Sequence, residues 1–234
     1  MTNILIIGAG SKSKNNPSIK GIGTCLVELL AKKDDVSILF TYNQSKKEAE
    51  ELKNSLLSEN NDRKIETVKF NSINYKDEWR NLDLKLQEFG TPNIFIYNAG
   101  VRFYKENLTN LEKEKTMKVN YLCPTYLIEK IGQKMAKEHK KGKMIFTSSI
   151  WAGKHHPFLE EYCMSKGLLN KYIDDHKDYW IKKGIKISIA SPDVAITPMT
   201  EERVEYYENL VKEGKRKKLF SAKEIAESIV KLYY

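Results

Sequence analysis

The sequence predicts an α/β fold, a doubly wound parallel sheet of six or seven strands flanked by helices. Three observations carry this. Short apolar runs alternate with longer amphipathic stretches along the whole chain, the signature of repeated right-handed βαβ units. Glycines cluster after the first apolar run, at Gly8-Ala9-Gly10 and again at Gly21-Ile22-Gly23. Gly8, Asn71, Asn98, Ser149 and Pro192 each follow a predicted strand, at the sheet edge where open α/β folds bind ligands.

Taken in order, residues 3–7 form an apolar strand that ends in the glycine turn. A polar insert, residues 11–20, then leads into residues 24–33, where Leu26, Leu29 and Leu30 recur at helical spacing. Residues 36–40 read as the second strand. Residues 45–59 read as a helix with Ser45 as N-cap and Glu48 closing a capping box. Residues 65–70 alternate as a strand, 76–89 as a helix, and 94–97 as a buried strand. One long helix is expected over 111–139, with Pro124 kinking it or shifting its register. Strands at 143–147 and 186–190 flank a helix over 160–183, and two more helices follow at 201–214 and 222–232. No repeat, low-complexity linker or boundary interrupts residues 1–234, so a single domain is expected.

Composition narrows the function classes. No apolar run approaches the ~20 residues of a membrane span, and the N-terminus lacks the basic region of a secretory signal. Cys25, Cys123 and Cys163 are far apart with no CxxC pair. That argues against a disulfide framework or a metal site and fits a reducing cytoplasm. The net charge is +9, yet the lysines are spread among glutamates with no aromatic-interleaved basic run. A solvated surface, not a nucleic-acid site, is the expectation.

Two features carry chemistry. A strand, a glycine turn and a helix N-terminus make a phosphate cradle, because glycines admit close backbone approach and the helix end offers free N–H groups. The insert lengthens this turn and is expected to be mobile; Lys12, Lys14 and Lys20 either reach a ribose phosphate or are merely solvated. After the second strand, Tyr42-Asn43-Gln44 contains no acid. An acid would repel a ribose 2′-phosphate, so its absence leans toward NADP, with NAD as the alternative. Further on, Tyr162 and Lys166 are four apart, on one face of a helix. A hydroxyl, a phenol and a cation together suit proton delivery to a carbonyl oxygen.

In order along nearly the whole chain, these residues resemble the short-chain dehydrogenase/reductase family, in its compact single-domain, Rossmann-like branch. Gly8 with Gly21-Ile22-Gly23 looks like its cofactor loop. Tyr97-Asn98-Ala99-Gly100 looks like its Asn-Asn-Ala-Gly motif with Tyr97 in place of the first Asn. Ser149 lies thirteen residues before Tyr162, and Tyr162 through Lys166 matches Tyr-x-x-x-Lys. Residues 192–197 resemble Pro-Gly-x-x-x-Thr, with Asp193 for the glycine.

The resemblance implies hydride transfer between a nicotinamide cofactor and a ketone or secondary alcohol. Ser149 would hold the substrate oxygen, with Ser148 as its fallback, and Tyr162 would exchange the proton. Lys166 would lower the tyrosine pKa and bond the nicotinamide ribose, and Asn120 would hold a water leading to solvent. It places Gly8, Gly21, Ile22, Tyr42, Asn71, Asn98, Ala99, Gly100, Pro192, Val194 and Thr197 against the cofactor, along with Tyr162 and Lys166. His155 and His156 lie near the substrate entrance, where solvation is the default. The last residues lack the family's usual closing strand, which favours six strands and leaves a homodimer through the helices of Asn120 and Tyr162. The charged, tyrosine-rich residues 197–218 lean toward a polar or carrier-bound substrate. The rival reading is a non-catalytic dinucleotide sensor or scaffold, motivated by the lengthened glycine turn.

Overall fold

Alternation along the first strand sets the layering. In β1 (Thr2–Ile7) successive side chains point to opposite faces, so Ile4 and Ile6 join one apolar cluster while Leu5 and Ile7 join another. A computed structural model describes residues 1–60, 63–138 and 141–233. β1 pairs with β2 (Val36–Tyr42) on one side and β4 (Ile94–Tyr97) on the other. β3 (Lys64–Lys69) extends the sheet beyond β2, and β5 (Gly142–Thr147) and β6 (Ile185–Ala190) extend it beyond β4. All five pairings are parallel, and the order β3-β2-β1-β4-β5-β6 reverses direction between β1 and β4. Such a reversal opens a crevice at the carboxyl ends of the strands.

One face packs on α1 (Ile22–Leu30), α2 (Lys46–Glu59) and α8 (Ala222–Lys231), which contribute Leu26, Leu30, Leu56, Ile225 and Ile229. The other packs on α3 (Tyr75–Phe89), α5 (Cys123–Lys137) and α6 (Glu160–Lys182), through Leu86, Leu127, Ile131, Leu169 and Trp180. Trp180 lies so close to Gly132 that a β-carbon there would come within 2.5 Å of its ring. Cys25, Cys123 and Cys163 are free and buried, and among the described residues no helix is long and apolar enough to cross a membrane.

The long central helix does change register at Pro124. α4 (Asn110–Met117) runs into a π-turn, Lys118–Leu122, before α5 begins; His139, its expected end, lies outside the described residues. Within the turn the Cys123 amide donates to Lys118, five residues back. In that register the Val119 carbonyl would look to residue 124, and proline has no N–H to give. The Tyr97 hydroxyl takes its place, donating to Val119 at 2.7 Å inside the core. The tyrosine that replaces an asparagine in the 97–100 motif thus satisfies a carbonyl that the proline leaves unpaired.

Three regions carry local structure that the sequence did not indicate. α2 begins at Lys46 and Ser45 makes no side-chain cap bond, so its hydroxyl is left facing the crevice; capping boxes occur instead at Thr109–Glu112 and Ser221–Glu224. The insert 11–20 forms a hairpin, with Lys12 bridged to Lys20 and the Ser13 amide bonded to Ile19. The segment after residue 194 also carries strand structure: β7 (Ala195–Ile196) pairs with β8 (Phe220–Ser221) and ties both ends of the intervening residues to the body. Between them lie a 3-10 turn, Glu201–Arg203, and α7 (Val204–Lys212).

Tyr97→Phe removes the donor and leaves a buried carbonyl unpaired. We expect a loss of about 1–3 kcal/mol in urea-unfolding free energy, against near-neutrality for a Tyr-to-Phe change at exposed Tyr179.

Candidate active site

A cavity of about 660 Å³ occupies the crevice. The glycine turn forms one wall: Gly8 has φ +88°, and a β-carbon there would sit 2.7 Å from the Ala99 backbone. A side chain at Gly23 would meet the Gly8 carbonyl at 2.1 Å, and one at Gly21 the Ser11 hydroxyl at 2.2 Å. Gly21 is the N-cap of α1, with no side-chain cap. The first-turn amides are therefore left to whatever occupies the cavity.

Asn98 fastens the floor. Its amide donates to the Gly8 carbonyl at 2.8 Å, and its oxygen accepts from the Thr147 hydroxyl at 3.3 Å. The Thr147 carbonyl in turn accepts from Lys166 Nζ at 2.7 Å. Lys166 is 3% exposed, and burial pulls its ammonium down to about 8, since charge is disfavoured away from water.

Tyr162 behaves otherwise than the sequence suggested. Burial raises its phenol pKa, while the neighbouring Ser149 hydroxyl and the positive charge of Arg102 oppose that rise. The phenol is thus the protonated species at neutral pH, with the Ser149 hydroxyl beside it. Ser149 also accepts the Trp151 amide at 3.2 Å. The Ser148 hydroxyl is buried without a partner, while its amide is fixed to Ala190 at 2.7 Å.

The structure gathers nearly every expected residue on this cavity: Gly8, Gly21 and Ile22 from the turn, Tyr42 after β2, Asn71 after β3, Asn98 to Gly100 after β4, Ser149, Tyr162 and Lys166, and Pro192, Val194 and Thr197 after β6. Asn71 caps its own 3-10 turn through its oxygen, which accepts the Ile73 amide. Asn120 stands apart. It is fully buried and does not line the cavity; its side chain clasps Val101 through both backbone amide and carbonyl at 2.9 Å and donates to Ser165 at 3.1 Å.

The loops also resolve other expectations. Lys12 and Lys20 are ion-paired with Glu51 and Glu28, so of the three insert lysines only Lys14 faces the cavity without a carboxylate among the described residues. The Asp193 carboxylate is neutralised by Arg216 at 2.6 Å. His156 sits among Trp151, Tyr104 and Phe158 and, like exposed His155, does not line the cavity. Burial lowers its pKa. Sequence reasoning passed over Thr147, Arg102, Lys115 and Trp151, which do line it; their signal was position, since each falls on or just after a strand end or on the helix that follows.

A glycine turn at the topological reversal of a doubly wound sheet, with free helix amides above it, defines a dinucleotide-binding fold of the Rossmann type. Residues 4–208 match the family described as short chain dehydrogenase, and the chain belongs to that family. It is 25% identical over 185 residues to general stress protein 39 of Bacillus subtilis, covering 76% of this chain and 62% of that protein. It is also 25% identical to an L-rhamnose 1-dehydrogenase (NADP(+)) of Thermoplasma acidophilum, over 78% of this chain and 72% of that one. Among solved structures, a 4-hydroxyisoleucine dehydrogenase complexed with NADH superposes with a TM-score of 0.83 at 20% identity, covering all of this chain and 91% of that one.

Burial of Lys166 leaves a pH signature. The native state favours the neutral amine, so unfolding takes up a proton between about pH 8 and the unperturbed 10.5. The cost is fully present below that window and relieved as pH rises through it. Relative to Lys166→Met, the wild type should therefore gain about 3 kcal/mol of stability across the window, measured by denaturant titration at stepped pH.

Proposed function

We propose that this protein is an NADP-dependent oxidoreductase that moves a hydride between the nicotinamide and a ketone or secondary alcohol, with Tyr162 as general acid and base. The observation that carries the reading is that Ser149, Tyr162 and Lys166 line the same cavity that the glycine turn walls. The cradle fits a dinucleotide, because Gly8, Gly21 and Gly23 leave backbone-lined space that any side chain would fill. The family supports an oxidoreductase, and the relatives' names divide between NADP and NADH. NADP is favoured here by Lys14, Asn43, Gln44 and the uncapped Ser45 at the far end of the cavity; Glu48 on the same wall is the feature that would favour NAD.

A bound dinucleotide would supply or accept the hydride. In the reductive direction, Ser149 holds the substrate oxygen and Tyr162, protonated at neutral pH, delivers the proton to it. In the oxidative direction the phenol must first lose its proton, and its raised pKa makes that step depend on alkaline pH. Lys166, held against the Thr147 carbonyl, would offer its remaining donors to the ribose of a bound dinucleotide. Asn120 positions rather than reacts: by clasping Val101 it sets the loop after β4 under the substrate. The buried free thiols suit a reducing cytoplasm. The exposed Leu122, Met164 and Leu168, on the π-turn and α6, suit a homodimer, for which light scattering should give twice the chain mass.

Calorimetric titration should show NADPH binding more tightly than NADH, with Tyr162→Phe leaving binding intact. The same variant should lower turnover of an accepted carbonyl compound by about 100- to 10,000-fold. Reduction should fall and oxidation rise as pH increases. Unchanged turnover in Tyr162→Phe would refute the assigned role, and binding of neither dinucleotide would remove the whole reading.

A further inference from the structure

The substrate half of the cavity has an unbalanced charge. Beyond Tyr162 it is walled by Val101, Trp151, Leu159 and Met199, with two cations, Arg102 and Lys115, entering it. Both are half-buried. Several nearby cations are paired: Lys105 with Glu112, Lys113 with Glu161, Lys118 with Glu114, and Arg216 with Asp193. Arg102 and Lys115 have no carboxylate partner among the described residues. Lys115 rests 5.7 Å above the Phe103 ring, and Arg102 uses one Nη to donate to the Met199 carbonyl at 3.1 Å. The rest of the guanidinium fork is uncommitted.

An arginine left unpaired in an apolar-walled cavity is an anion site, because its planar fork matches a carboxylate with two parallel bonds. Its charge also reaches the reaction centre, since Arg102 lowers the pKa of Tyr162 as well as those of Tyr104 and His156. We propose that the substrate is a short oxo acid or hydroxy acid whose carboxylate is held by Arg102, with Lys115 adding to the field, while its carbonyl or hydroxyl carbon lies at Ser149 and Tyr162. The proposal rests on the oxidoreductase reading above. It places the acid group within a few carbons of the reacting carbon, because Arg102 lines the same cavity as Ser149 and Tyr162 and its charge reaches the Tyr162 phenol. Reduction adds one hydride to the carbonyl carbon and one proton from Tyr162 to its oxygen, and the carboxylate passes through unchanged.

The test compares 2-, 3- and 4-oxo acids with their methyl esters, using the full chain and NADPH or NADH. At least one acid should exceed its ester in kcat/KM by roughly 10- to 100-fold, the worth of a charge-assisted pair. Arg102→Gln should collapse that ratio, mainly through KM, and Arg102→Lys should restore part of it. If Arg102 serves only to hold Met199, both substrates fall together and the ratio stays, which overturns the proposal. Esters or neutral ketones reduced as well as the acids would overturn it while leaving the oxidoreductase reading intact. Dinucleotide binding without turnover of any carbonyl compound in the panel would also overturn it. If neither dinucleotide binds, the parent reading fails, and the proposal with it.

Discussion

One asparagine side chain ties the glycine turn to β5 across the reversal point of the sheet. Asn98 reaches from the end of β4 to the Gly8 carbonyl on one side and the Thr147 hydroxyl on the other. Parallel strands fan apart at their carboxyl ends, and their last carbonyls have no further ladder to join. Asn98 satisfies one such carbonyl and holds the glycine turn at a fixed distance from β5. Because Thr147 then presents its own carbonyl to Lys166, the phosphate cradle and the proton-transfer floor share one hydrogen-bonded chain. Displacing any member would move both.

The cost of this arrangement is concentrated at Lys166. A lysine buried to 3% exposure with a single carbonyl as partner sits far from its preferred hydrated state. Strain of this kind gathers at functional sites, where the surrounding fold holds a group that folding alone would not choose. Tyr162 belongs to the same economy of water: burial keeps its phenol protonated, and the neighbouring serine hydroxyl and arginine charge moderate the effect.

Much of the architecture was legible in the sequence because it follows from periodicity. The apolar runs of β1, β2, β4 and β5 and the amphipathic stretches of α3, α5 and α6 each state their own period. Side chains anchored locally were legible too, as with Tyr162 and Lys166 one helical turn apart. What escaped were contacts made across long separations. Ser45 has the right residue type and spacing for a capping box, yet its backbone has ψ 52° and no cap bond forms. Pro124 signalled a disturbance, but nothing local said that Tyr97 would answer it. The hairpin 11–20, mostly polar, reads as loose chain; its bonds to Glu28, Glu51 and Glu201 are partners that composition cannot reveal.

That hairpin links the two ends of the cleft. The Ser13 hydroxyl bonds both oxygens of Glu201 at 2.7 and 2.6 Å, across 188 residues of sequence. It also accepts the Asn15 and Asn16 amides, so its own loop is folded around it. One end of this contact lies over the glycine turn, and the other begins the segment beside the substrate half. The two awnings are stitched along a single seam. A displacement of the segment after Thr197 either breaks that contact or drags the hairpin with it, so the two ends of the cleft are mechanically linked through Ser13 and Glu201.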